Sequence, residues 1–303
     1  MTIEHKLTID EVLTVETLSK MPHSALRLMQ LMEDPDTHAE EFAEVIRLDT
    51  DLTAQVLRLC NSASYGLSRK ISTVKEAVAI LGLKTLKSMV YVILSKMALD
   101  RPVKGYGLEK GDLWYNGLSC AVYAKFLAET LGGVDAELAF TCGLLRDIGK
   151  IALGQYVGTR YKSIEELAVH SRIAFDEAET MVLGVNHCEV GKALAEKWNM
   201  PEDIVAVIEF KNQPSDFCDS PLGRINKPGT YKLITIVHLA DAFTRMIGSG
   251  IGSDGLMYTL DGKALEKFDI QVNVQFMDTT LAKLIELDET VAEISASLRG
   301  EGN

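Results

Sequence analysis

The stretch GLLRDIGKI, residues 143–151, decides how the rest of the chain is read. It lies in an amphipathic run and has the cadence of a metal-binding helix, yet Arg146 stands where a ligand would be useful. A guanidinium stays protonated, offers no lone pair and repels a cation. Either the segment belongs to an enzyme with an unusual site, or the chain keeps a metal site's shape without its chemistry.

Working outward, helical periodicity dominates. In LSKMPHSALRLMQLMED, residues 18–34, the apolar Leu18, Met21, Ala25, Leu28, Met29 and Met32 recur at steps of three and four. EEFAEVIRL repeats the pattern, and DTDLTAQVLRLCNSASYG places Leu52, Val56, Leu59, Cys60 and Ala63 on one face. Asp49 is placed as an N-cap and Gly66 as the end of that run. Thr73 and Glu76 read as a capping box, with Gly82 as the stop. A helix from Leu83 to about Leu99, apolar on most sides, is expected to be central.

RPVKGYGLEKG, residues 101–111, is the first break, and it divides an N-terminal helical subdomain (1–100) from a second one (101–303). Helical patterns follow at roughly 112–131, 135–155, 160–170, 175–183, 187–199 and 201–210. A Pro-rich loop, NQPSDFCDSPLGRINKPG, precedes helices near 230–247 and 278–299. QVNVQF alternates but is short, so the class is all-α. The last helix carries Leu281, Leu284, Ile285, Leu287, Val291, Ile294 and Leu298 as a stripe expected to close the core. A dimer contact is the alternative, and the oligomeric state stays open.

Several function classes recede on composition. The chain has 303 residues and a formal net charge of −12, which argues against a broad nucleic-acid grip. The apolar run around Met89–Leu94 is about a dozen residues, short of the roughly 20 that a membrane span needs. The N-terminus lacks the signal-peptide pattern, and five scattered cysteines without CxxC suit a reducing cytoplasm. The glycines of 248–255 lack the strand and helix that a phosphate fingerprint requires. AVAILGLKTLKSMVYVIL could be a helix-turn-helix offering Lys84, Thr85, Lys87 and Ser88, but the apolar run after them reads better as buried.

Among the histidines, His5, His23 and His38 lie near helix starts without partners at ligand spacing. His170 ends a helix. His187 opens one, with Asn186 as N-cap and Glu189 as its box partner, a position that favours neutral imidazole.

MPHSALRLMQLMEDP, VIRLDTDLTAQVLRLCNSASYG and ISTVKEAVAILGLKTLKSMV, followed by GLLRDIGKI, LGVNHCEVGKALAEKWNMP and VHLADAF, together resemble the HD-related output domain (HDOD) family from about Leu18 to Asp241. The resemblance implies an all-α HD-like helical bundle with an N-terminal helical subdomain. It also implies a regulatory, non-hydrolytic relative of the metal-dependent HD phosphohydrolases, of a kind found in bacterial signalling. Where that family often has Asp-Pro, this chain has Asp49-Thr50, a change that only loosens a first helical turn.

The same resemblance locates a degenerate site. The first ligand position falls at Asn116, and the His-Asp doublet becomes Arg146-Asp147, with Lys150 three residues on. His187 is kept, a histidine pair becomes Phe210-Lys211, and Asp241 is kept as the last carboxylate. Asn is a weak ligand beside imidazole, and Arg146 brings a fixed positive charge. Adjacent helical positions point about 100° apart, which would let Arg146 face outward and leave Asp147 inside.

The expectation is therefore no cofactor, no metal and no catalytic residue. Arg146 is expected to pair with Asp147 or Asp241 in place of a cation. A second reading makes Arg146, Lys150, Lys211 and His187 a nucleotide or phosphate pocket. The expected role is signal transduction through an unidentified signalling protein, gated by a phosphate-bearing ligand if the pocket exists. No attached receiver or cyclase domain is expected within these residues. The rival reading is a divergent metal phosphohydrolase, a phosphodiesterase or phosphatase, using Asp147, His187 and Asp241.

Overall fold

The computed structural model describes residues 6–14, 27–28, 31–32, 37–225, 227–249 and 259–299. Much of the expected first helix, His5, His23 and residues 250–255 of the glycine run lie outside the described residues. α1 (Ile9–Val12) opens on a Thr8–Glu11 capping box. α2 (Ala39–Leu48) turns at Asp49 into α3 (Thr50–Cys60), and the Asp49 side chain accepts the Leu52 N–H as its N-cap. A short 3-10 turn, Ala63–Tyr65, ends on Gly66 in the left-handed region.

α4 (Val74–Leu99) is kinked at Gly82, whose φ of 81° and ψ of 158° suit only glycine. The Thr73 cap forms, but Glu76 accepts from Ser72 N–H instead of completing the box. The 26 residues of α4 are long and apolar enough to span a membrane, which corrects the shorter run read from the sequence. Its Met89–Leu94 face is nonetheless buried, and α4 packs on α2, α3, α5 (Asp112–Leu131) and α6 (Ala136–Leu145). Three of the four polar residues of a would-be recognition helix have partners within the chain. Lys84 pairs with Asp135, Lys87 Nζ donates to Met32 O at 3.0 Å, and Ser88 Oγ donates to Glu137 at 2.5 Å.

The expected helix 135–155 is two helices. α6 stops at Leu145, residues 146–149 form a turn, and α7 runs unbroken from Lys150 to Ser171, merging the expected 160–170 segment. α8 (Phe175–Leu183), α9 (His187–Lys197) and α10 (Glu202–Phe210) follow as expected. The Pro-rich loop contains a 3-10 turn, Pro214–Asp219, and α11 (Pro221–Arg224). α12 (Pro228–Ile247), α13 (Gly262–Lys267) and α14 (Val274–Arg299) complete the chain.

Among the described residues no strand forms, and QVNVQF instead leads into α14. In α14, Leu284, Val291, Ile294 and Leu298 are buried against α3 and α5, while Ile285 is exposed. The stripe closes the core, which runs continuously from Val12 to Leu298 across the loop at 101–111.

Candidate functional site: a buried charge cluster around Arg146

The turn between α6 and α7 carries Arg146 and Asp147 into the interior, because four elements converge on it. α5 supplies Asn116, α12 supplies Asp241, the first residue of α9 is His187, and the residue capping α10 is Lys211. Gly149 makes that approach possible. A Cβ there would sit 1.9 Å from His187 O and 2.6 Å from Gly191 N, both backbone atoms. Phe210 stays outside the cluster and packs edge-on to Phe217 at 5.6 Å.

Arg146 is the centre of the arrangement and is 1% exposed. Its Nε donates to Asp241 Oδ1 at 2.7 Å, its Nη1 to Gly143 O at 3.0 Å, and its Nη2 to Asn116 Oδ1. Nη2 also lies 2.6 Å from Asp241 Oδ1 and 3.5 Å from Asp147 Oδ2. Asn116 is oriented in turn by donating Nδ2 to Ser249 O at 2.8 Å. The side chain therefore faces inward, not outward, held there by Asp241, Gly143 O and Asn116.

Asp147 receives charge without hydrogen bonds. Lys211 Nζ stands 3.2 Å from its Oδ1, Lys150 Nζ 3.3 Å from its Oδ2, and His187 Nε2 3.9 Å from Oδ1. Neither oxygen has a hydrogen-bond partner among the described residues. Burial alone would raise this carboxyl, but Lys150, Lys211, Arg146 and His187 outweigh it and hold it well below the ordinary range. Asp241 is depressed likewise, against burial, by Arg146, Arg245 and Lys211. Burial opposes the charge on Lys211, yet Asp147 keeps it firmly protonated.

These donors do not fit a divalent metal. Arg146 occupies Asp241 Oδ1 and Asn116 Oδ1, the atoms a cation would need. The two nitrogens of His187 face Glu179 Oε2 at 2.7 Å and Lys211 Nζ at 3.4 Å. Among the described residues no group of three His, Cys, Asp or Glu side chains is placed to hold a metal ion. A phosphate finds no better reception. Arg146, Lys150, Lys211 and His187 do come together, but each is buried and directed at a carboxylate.

The sequence of residues 18–214 matches the HDOD domain family, nearly two thirds of the chain. This chain belongs to the HDOD family. It is 26% identical over 283 residues to an uncharacterised protein of Treponema pallidum (strain Nichols), covering 91% of this chain and 51% of that one. The chain thus spans about half the length of that curated relative. Among solved structures, an HDOD domain protein of unknown function from Geobacter sulfurreducens has a TM-score of 0.67 at 25% identity, covering 92% of this chain and 91% of its own. A candidate phosphohydrolase from Shewanella amazonensis SB2B also has a TM-score of 0.67, at 24% identity, covering 95% and 99%. The second likeness speaks to the fold. The match ends at residue 214, so Asp241 enters the HDOD site through geometry.

Four residues of the HDOD cluster were not singled out from sequence. Glu179 on α8 accepts the His187 backbone N–H at 2.9 Å and faces its Nδ1. It also accepts from Tyr106 Oη at 2.6 Å, which ties the 101–111 loop to the site. Burial and the Lys211 ammonium disfavour an imidazolium at His187, while the Cys188 sulfur and Glu179 favour it. The balance raises His187 well above its ordinary value and corrects the expectation of a neutral ring. Arg245 reaches Asp241 Oδ2 at 3.1 Å from one turn further along α12. His238 donates Nδ1–H to Lys211 O at 2.7 Å and accepts the Asp261 N–H at Nε2, a neutral ring whose pKa burial lowers. The spacing of Arg245 four residues after Asp241 was a legible signal; nothing local marked Glu179.

Proposed function

We propose that this HDOD protein is a signal-transduction component that acts through contact with a protein partner and hydrolyses no phosphate ester. The observation carrying this reading is the Arg146 guanidinium, buried between Asn116, Asp147 and Asp241. It does the electrostatic work of a cation there, neutralising the carboxylates that would otherwise destabilise the interior. It cannot polarise a phosphoryl oxygen or lower the pKa of a bound water as a metal does. The five free cysteines, with Cys218 exposed, suit a cytoplasmic location.

The test is elemental analysis of untagged protein before and after incubation with manganese, iron and magnesium, together with assays on phosphomonoesters, phosphodiesters and cyclic dinucleotides. No retained metal and no turnover are expected. One or two tightly held ions per chain, with turnover abolished by Asp147→Ala, would replace this reading with a divergent phosphohydrolase. The Asn116→His, Arg146→His double variant is expected to gain metal binding that the parent lacks.

A further inference from the structure

The cations around Arg146 are committed to carboxylates, but Arg101 is not. A cleft of about 400 Å³ lies between residues 101–105, just past the end of α4, and the first half of α7. Arg101 lines it and is only partly exposed. Its backbone N–H donates to Leu99 O at 2.8 Å, but its guanidinium has no hydrogen-bond or ion-pair partner among the described residues. Asp100, its neighbour in sequence, is turned elsewhere. The Asp100 Oδ1 lies 3.5 Å from where a Cβ of Gly111 would stand, and its charge bears on Lys96.

Taking a guanidinium part-way out of water without a counter-charge is costly, and such groups are normally paired. At Arg101 burial alone lowers the pKa, and no neighbouring charge acts against it. An unpaired, partly buried cation at the wall of a cleft marks a place where an anion belongs. Lys104 lines the same cleft, is exposed and has no partner among the described residues. Gln155 adds an unpaired amide from α7. No Asp or Glu lines the cleft, in a chain with 43 acidic residues against 31 basic ones.

The rest of the lining is apolar or bare. Pro102, Val103 and Ile151 supply apolar surface, and Gly105 rests on Gly154 and Gly158, which put no side chain into the cleft. A Cβ on Gly158 would come 3.4 Å from Gly105 Cα, so backbone meets backbone there. A few placed polar groups on an otherwise apolar surface are the pattern of a small-ligand site, and the size falls within the range of such sites.

We propose that this cleft binds an organic phosphate monoester, its phosphate against Arg101, Lys104 and Gln155 and its body along Pro102, Val103 and Ile151. The guanidinium fork offers paired donors to two oxygens of one phosphate. The same loop carries Tyr106, whose hydroxyl donates to Glu179 at 2.6 Å, and Glu179 faces His187. An occupant that ties residues 101–105 to α7 would steady that line of contacts into the buried cluster. This consequence rests on the regulatory reading above; the binding itself does not.

Calorimetric titration of the full chain with AMP, GMP and glycerol 3-phosphate, at ionic strength held constant with sodium chloride, tests it. Saturable binding of one molecule per chain is expected, weakened about tenfold or more by Arg101→Met and by a smaller factor in Lys104→Gln. The cation removed by Arg101→Met has no anionic partner in the chain, so the unliganded thermal midpoint should hold or rise. Tighter binding of AMP or GMP than of glycerol 3-phosphate would identify a nucleoside source, and the reverse order an aliphatic one. Binding no tighter than about 1 mM for every probe, or affinity unchanged in Arg101→Met, overturns the proposal. A fall in the midpoint of Arg101→Met overturns it too, since Arg101 would then serve the fold. None of these results touches the metal and turnover assays, so the two readings fail separately.

Discussion

Replacing Arg146 by methionine would keep much of the side chain's volume while removing the charge that faces Asp241 and Asp147. Breaking a buried pair on one side leaves an uncompensated ion and costs about 3–5 kcal/mol. Urea unfolding of Arg146→Met should show a loss of that size; a change below about 1 kcal/mol would mean that Lys150, Lys211 and Arg245 suffice without it. Acid provides a second test. Asp147 and Asp241 are both depressed below the ordinary 3.8. Their contribution is therefore present above the unfolded value and is lost as pH falls through the folded ones. The urea midpoint should fall on acidification below about pH 4, and in Arg146→Met the fall should be shallower, since Asp241 loses its strongest favourable neighbour and its folded value moves back towards the unfolded one. At this scale the sequence was informative where a motif fixed the position: Asn116, Arg146, Asp147, Lys150, His187, Lys211 and Asp241 all meet. It was silent on Glu179 and Tyr106, which reach His187 from separate elements across folds of the chain that no local pattern encodes.

Elements were readable by their caps and periodicity, and misread where backbones touch. The apolar rhythm persists through 146–149 and predicts continuous helix where the chain in fact turns. At the turn the backbone tightens, Ile148 N–H bonding Leu145 O and Lys150 N–H bonding Asp147 O, where Gly149 lies against the start of α9, a close approach invisible in a periodicity. The reverse error occurred in α7, expected to stop between 155 and 160. Gly154 and Gly158 there are not helix breakers but a landing strip for the 101–111 loop: a Cβ on Gly105 would lie 2.0 Å from Gly154 O. Gly149→Ala should destabilise by at least the 1–3 kcal/mol typical of overpacking, since backbone atoms cannot step aside as a side chain can. Gly105→Ala should lift the loop and with it Tyr106, so that its amides exchange faster with solvent while those of α9 hold. Unchanged exchange across residues 101–111 would show that the loop tolerates the extra methyl and that the contact with α7 is not tight.

Across the whole molecule, the boundary at 101–111 is less a linker than a seam inside one core. α14 returns from the far end of the chain to pack on α3 in the first half and α5 in the second, and Tyr123 donates to Asp288 at 2.9 Å along the way. A helix that buries its apolar stripe against both halves couples their unfolding, because neither half can lose α14 without exposing part of the other's interior. Leu284 is fully buried within it. Leu284→Ala should cost about 2–5 kcal/mol through lost burial and the cavity left behind. Coupling makes a sharper statement than cost. In native-state hydrogen exchange the slowest amides of α3 and α9 should share one opening free energy, and Leu284→Ala should lower both by the same amount. If only the α3 amides respond, residues 1–100 open as a unit of their own, and the last helix is a cover on one subdomain instead of the bolt between two.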